Sequence, residues 1–179
     1  MSSKPWIGLI LLAWVVSPND AWAGYVFHEG NGGSQDIVCT LPQSVLEVNF
    51  KNDPYSCEND EARSVVLNNL PAGAMLIVYD DPGCGTGDDY TRIRVLENIS
   101  QVTIGTFEGG SYPSSIHYQH FPDNGLDGKV SCVQISRCGD GVCSGGENSS
   151  LCSTDCGSGG GGGGGCDDEF LATTEPCPE

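Results

Sequence analysis

Residues 90–96 read "YTRIRVL", in which Ile93 and Val95 share one face and Arg92 and Arg94 the other. Apolar and charged residues that alternate with a period of two describe a strand buried on one side only. Shorter runs of the same kind follow in "QVTIGTF" (101–107), "SSIHYQH" (114–120) and "GKVSCVQI" (128–135), while "AMLIVYD" (74–80) is apolar enough for a strand buried on both faces. Turn-forming clusters separate them: "LPAG" (70–73), "DDPGCGTGDD" (80–89) and "FPDNG" (121–125). No stretch keeps a helical period. Eight or nine short strands at this spacing predict an all-β chain folded as an antiparallel sandwich or barrel over residues 24–135.

The chain begins with Lys4 ahead of an apolar run of 11 residues, Trp6 to Val16, and then the triplet Ala21-Trp22-Ala23. That order of positive, apolar and small residues predicts a signal peptide over 1–23 and a mature start at Gly24. The run is too short for a membrane span, which needs about 20 residues. Export sets the reading of the ten cysteines, which all follow residue 23. An even number in an oxidising compartment points to disulfides. Proximity along the chain suggests Cys39–Cys57, Cys84–Cys132 and Cys166–Cys177, with Cys138, Cys143, Cys152 and Cys156 paired among themselves.

Seven Lys and Arg stand against 24 Asp and Glu, for a net charge of −17. A surface of that sign disfavours nucleic acid as a partner and attracts cations, calcium above all outside the cell. The composition leaves the oligomeric state and any protein partner open.

Residues 24–135 hold one pattern twice. The first copy opens "YVFHEGNGG" and closes "NDEARSVVL"; the second opens "LIVYDDPGCG" and closes "LDGKVSCVQI". Each begins with an aromatic residue in a strand before acids and a Gly-rich turn, and ends with an Asp-containing turn, a Ser and an apolar strand. The arrangement resembles the double Greek-key domain of the βγ-crystallin superfamily, where an aromatic-rich hairpin and a Ser that pins its fold recur in each motif. The resemblance implies a Greek-key β-sandwich with Ser64 and Ser131 as the structural serines. Calcium-binding members carry Asn/Asp-Asn/Asp-any-any-Ser/Thr-Ser before the last strand of each motif. Here the fifth position is Arg63 in one copy and Val130 in the other. A guanidinium repels a cation and an isopropyl group cannot coordinate one, so the resemblance implies eroded calcium sites. Glu29, Asp60, Asp80 and Asp127 remain as ligands of weak ones.

Residues 138–156 form a separate cysteine-rich module, within 136–156, with the spacing Cys-x4-Cys-x8-Cys-x3-Cys. Asp140 lies in a Gly-Asp-Gly turn, Glu147 follows seven residues later, and Asp155 sits between the last two cysteines. Disulfides alone do not require acids at those places. Carboxylates spread over a Gly-rich turn suit calcium, which takes oxygen ligands, so Asp140, Glu147 and Asp155 are the candidate calcium ligands. The module resembles the short "CGDGVC…GE…C..DC" cysteine repeats appended to secreted bacterial proteins, and is loosely similar to Notch-type calcium-binding repeats. "GSGGGGGGG" (157–165) reads as a flexible linker to a short tail, 166–179, that contains Cys166 and Cys177.

Other constellations point away from catalysis. His117 and His120 lie three apart on a strand and so face opposite ways. The turn "DPGCGTGDD" lacks the Lys of a phosphate loop, and neither a Gly-x-Ser-x-Gly elbow nor a His-Glu-x-x-His helix is present. Asn98 and Asn148 head glycosylation sequons that matter only in a eukaryotic secretory host. The expected function is that of a secreted, non-enzymatic structural or binding protein that binds calcium. The alternative is a secreted toxin or protease inhibitor presenting "FEGGSYPSS" (107–115) or "DDPGCGTGDD" (80–89), and a hydrolase is the third.

Overall fold

The computed structural model describes residues 22–139, 141, 143, 148, 149 and 152–157. The expected signal peptide before Trp22, the Gly-rich linker beyond Gly157, the Cys166–Cys177 tail, Asp140 and Glu147 lie outside the described residues. Among the described residues the fold is all-β, with nine strands: β1 (Gly24–Gly30), β2 (Ser34–Pro42), β3 (Glu47–Asn49), β4 (Ser64–Leu70), β5 (Ala74–Tyr79), β6 (Tyr90–Val95), β7 (Ile99–Ile104), β8 (Ile116–Phe121) and β9 (Cys132–Arg137). They form two antiparallel sheets, ordered β2-β1-β4-β7 and β3-β9-β5-β6-β8. Among the described residues no helix is long and apolar enough to cross a membrane.

The two sheets are not the two halves of the sequence. β3 leaves the first half to pair with β9, with Val48 opposite Val133, and β7 leaves the second half to pair with β4, with Leu67 opposite Val102. Each half therefore completes the other's sheet. The residues around "SSIHYQHFPDNG", which the βγ-crystallin pattern does not account for, become β8, a fifth strand on the outside of β6.

Alternation places Tyr25, Phe27, Val65 and Leu67 of one sheet against Leu76, Val78, Ile93 and Ile135 of the other, all buried in one core. Phe27 is its centre: its ring meets Phe50 edge-on at 5.6 Å and Phe107 at 6.4 Å. These aromatic contacts add roughly 0.5–1.5 kcal/mol each beyond area burial. β5 is buried along its whole length. Its inward residues join the main core, and its outward Met75, Ile77 and Tyr79 make a second cluster with Cys132, against which Cys84 and Tyr90 pack.

Four disulfides close among the described cysteines: Cys39–Cys57, Cys84–Cys132, Cys138–Cys152 and Cys143–Cys156. They suit an oxidising, extracellular environment. The last strand runs to Arg137, and the Cys138 N–H donates to the Gly73 carbonyl at 2.9 Å. The sandwich's hydrogen bonding therefore continues to the first cysteine of the module, three residues past the boundary expected at 135. Gly73 has a φ of 89°, and a Cβ there would lie 2.4 Å from the Cys138 carbonyl oxygen, so only glycine fits the junction.

Ser64, fully buried at the start of β4, holds the first hairpin. Its hydroxyl donates to the Gly30 carbonyl at 2.5 Å and accepts from the Gly33 N–H at 2.9 Å. Ser64→Ala would strand both backbone groups, at a cost of about 1–3 kcal/mol. A lower urea midpoint with an unchanged slope in the oxidised protein is the expected result; an unchanged midpoint would remove this role from Ser64.

Candidate functional site

The second hairpin, residues 80–89, is held by different chemistry. Ser131 stands where Ser64 does in the first half, yet its hydroxyl donates to Asp60 Oδ1 at 2.9 Å, across to the turn of the other half. The hairpin is instead bonded covalently to β9 through Cys84–Cys132. Asn49 Nδ2 also donates to the Pro82 carbonyl at 2.5 Å, and the Asp81 carboxylate accepts from the Gly83 N–H at 2.6 Å. "DDPGCGTGDD" is thus a fixed platform.

That platform gathers acids. Carboxylate oxygens of Asp80, Asp88 and Asp89 lie within 4.8 Å of one another. Asp89 is fully buried and accepts from the backbone N–H groups of Asp123 at 2.6 Å and Asn124 at 2.5 Å. Asp88 accepts from Asn124 Nδ2 at 2.7 Å. Lys129 Nζ donates to the Asn124 carbonyl at 3.0 Å and to its side-chain oxygen. The turn "FPDNG" is therefore stitched to the platform by carboxylates.

The same neighbours move the acids in opposite directions. Burial alone would raise the Asp89 carboxyl, but the N–H groups of Asn124, Asp123 and Gly125 hold it below its ordinary value of 3.8. Asp80 is raised, first by burial and then by the charge of Asp88, with Asp60 and Asp89 adding to the effect and Lys129 opposing it.

The other acids expected as ligands are placed differently. Asp127 accepts from Thr106 Oγ1 at 2.7 Å and the Phe107 N–H at 2.8 Å, which fastens the start of the 105–115 loop. Glu29 is half-buried on β1. Among the described residues neither Glu29, Asp60 nor Asp127 belongs to a group of three or more potential ligands, whereas Asp80 does. Arg63 is exposed, and Val130 is fully buried in the core, so it does not face a cation position at all. In the module, Asp155 accepts from the N–H groups of Gly139 and Gly141, the latter at 3.1 Å. In the sequence these two glycines flank Asp140. Two further groups of potential ligands contain the Cys84–Cys132 and Cys138–Cys152 sulfurs, which as disulfides are not thiolates and do not hold zinc.

His120 Nδ1 lies 2.8 Å from the Thr91 hydroxyl on the inner side of β8, and His117 is exposed on the outer side. A cavity of about 490 Å³ between residues 42–46 and the end of β9 is lined by no carboxylate among the described residues. The roles of Asp89 and Asn124 escaped sequence reasoning, because "FPDNG" reads only as a turn and nothing local shows which acid will receive its N–H groups. No family model, curated protein or solved structure matches the chain.

Because Asp89 is lowered, its contribution to stability is complete above pH 3.8 and is lost as the pH falls through the folded-state value. Asp89→Asn should cost about 1.5–3 kcal/mol at pH 7, the range for hydrogen bonds to a charged group, and should flatten the stability profile below pH 3.8. Asp80 is raised, so its ionised form opposes folding at neutral pH, and Asp80→Asn should raise Tm at pH 7 but not at pH 3. Urea and thermal melts across this range check both; the same sign of effect for both variants at pH 7 would contradict the account.

Proposed function

We propose that the protein is a secreted, non-enzymatic structural or binding protein, built on a βγ-crystallin-like sandwich, whose C-terminal module binds calcium. The family reading is supported by the doubled Greek-key organisation and by Ser64, which pins the first hairpin as the resemblance implies. The calcium reading is carried by one observation: the carboxylate of one candidate ligand, Asp155, accepts the N–H groups of Gly139 and Gly141, the sequence neighbours of another, Asp140. Two disulfides, Cys138–Cys152 and Cys143–Cys156, cross-link the module. A segment this short lacks a core of its own, and a cation is a natural further staple.

Calorimetric titration of calcium into the oxidised whole protein is the test, taken to several times the roughly 0.1–1 mM range of extracellular modules. Asp140→Asn and Glu147→Gln should each weaken binding at least tenfold, while Ser149→Ala leaves it unchanged. Asp155→Asn should both weaken binding and loosen the turn in calcium-free protein, seen as faster amide exchange at Gly139 and Gly141. Binding that survives Asp140→Asn but is lost in Asp88→Asn would move the site to the 80–89 platform. No heat at any concentration would end the calcium reading.

A protease inhibitor is the second reading, favoured by the rigidity that Cys84–Cys132 gives the 80–89 hairpin. Residual activity of trypsin-like, chymotrypsin-like and subtilisin-like enzymes at equimolar protein decides it.

A further inference from the structure

Trp22 and Ala23 stand just ahead of β1, inside the expected signal peptide, yet they are hydrogen-bonded into the sandwich. The Ala23 carbonyl accepts from the Gln43 N–H at 3.3 Å, and the Trp22 carbonyl accepts from Asn69 Nδ2 at 2.9 Å. Gly24 leaves room for the indole, because a Cβ there would lie 2.7 Å from a ring carbon of Trp22. Two consecutive carbonyls and one aromatic ring are thus received by Gln43, just past β2, by Asn69 on β4 and by the first residue of β1.

Ala23 also walls the cavity of about 490 Å³ between residues 42–46 and the end of β9, together with Pro42, Leu46, Ser136 and Arg137. Leu46 is 58 % exposed, an apolar side chain with little covering it. Ser136 is buried, and its Oγ has no hydrogen-bond partner among the described residues. Arg137 is exposed at the end of β9. In a chain with 24 acids, this corner sets a guanidinium and an unpaired hydroxyl beside an apolar wall.

Cleavage after Ala23, the processing that the leader's sequence predicts, changes this corner chemically. Water breaks the bond between the Ala23 carbonyl carbon and the Gly24 nitrogen, leaving a carboxylate on the departing leader and an ammonium on the processed chain. An α-amino group, with a pKa of about 8, is protonated at neutral pH. Gly24 is paired with Pro42 on one side and Asn68 on the other, so the ammonium is held at the edge of the cavity. The Gln43 N–H and Asn69 Nδ2 lose the carbonyls that they hold in the unprocessed chain.

We propose that the processed sandwich binds the C-terminus of a peptide chain that ends in an aromatic residue followed by a small one. Trp22–Ala23 is the template for that occupant. The carbonyl of the aromatic residue meets Asn69 Nδ2, its ring lies on Gly24, and the terminal carboxylate meets the Gln43 N–H. The Gly24 ammonium and the Arg137 guanidinium are the nearby cations. A carboxylate makes charge-assisted hydrogen bonds to such donors, stronger than those of the internal carbonyl it replaces. Capture of a C-terminal carboxylate by backbone N–H groups is a recurring mode of peptide recognition. The site exists only after processing at Ala23 and is separate from the calcium module.

All three tryptophans, Trp6, Trp14 and Trp22, precede Gly24, so the processed protein has none and a peptide's indole reports binding by itself. The oxidised whole protein, secreted through its own leader, is weighed intact to establish its first residue and then kept in EDTA. The probe is a synthetic N-acetylated peptide of residues 19–23, Asn19-Asp20-Ala21-Trp22-Ala23, with a free carboxylate. Its fluorescence should shift to the blue and its anisotropy should rise to saturation. The C-terminal amide of the same peptide should bind at least tenfold more weakly, the scale of one charge-assisted hydrogen bond. Asn69→Gly suits the backbone, at a φ of 48°, and removes only the side-chain amide. It and Arg137→Gln should each weaken binding severalfold. Arg63→Gln, at the opposite end of β1 beside His28, should not. No shift with protein that starts at Gly24, or equal binding of acid and amide, would overturn the site. An intact mass placing the start ahead of Trp22 would overturn the proposal through its processing step, since the chain would then fill the corner itself.

Discussion

The structure depends on one exchange. β3 belongs by sequence to the first half and by hydrogen bonding to the second sheet, and β7 does the reverse. Neither half can satisfy its own sheet alone, and the core between the sheets exists only when both are present. The two Asp-containing turns before β4 and β9 are drawn into this exchange. The Asp60 N–H donates to the Val130 carbonyl at 3.2 Å and the Gly128 N–H to the Ala62 carbonyl at 2.9 Å, so each turn is hydrogen-bonded to the other.

Within that frame the two halves have settled their hairpins by different means. In the first, a buried hydroxyl satisfies both a donor and an acceptor of the fold. In the second, the equivalent hydroxyl is committed to Asp60, and a disulfide supplies the connection between hairpin and last strand. A covalent bond tolerates what a hydrogen bond does not, namely a hairpin crowded with carboxylates that repel one another. The Asp80 carboxyl, raised first by burial and then by the charge of Asp88, feels that crowding.

Alternation made the strands legible. "YTRIRVL" is a half-buried strand and "AMLIVYD" a fully buried one, as their patterns state, because a side chain's face follows directly from its position in a strand. The disulfides between Cys39 and Cys57 and between Cys84 and Cys132 join consecutive cysteines of the chain, as expected. What the sequence does not carry is the partner of a polar side chain reached across the exchange. Ser131 resembles Ser64 by position but meets Asp60, 71 residues away. Val130 occupies what reads as a ligand position, yet its side chain is buried in the core just ahead of β9. Asp89 looks like one of four interchangeable acids in a turn. Only the folded chain shows that it, alone of the four, receives the N–H groups of the 123–124 turn.

The Cys84–Cys132 bond also has a mechanical meaning. Tension applied to the chain beyond Arg137 enters at β9, which lies between β3 and β5, and tension at Gly24 enters at β1, which lies between β2 and β4. Both ends of the sandwich thus pull on interior strands, where ladders on two sides must shear together. Should they yield, the disulfide spanning 48 residues keeps that loop out of the extensible length, and Cys39–Cys57 does the same for 18. At about 3.4 Å per extended residue these loops withhold roughly 160 Å and roughly 60 Å of chain. Under oxidising conditions the protein is a short tether with little slack, and reduction lengthens it.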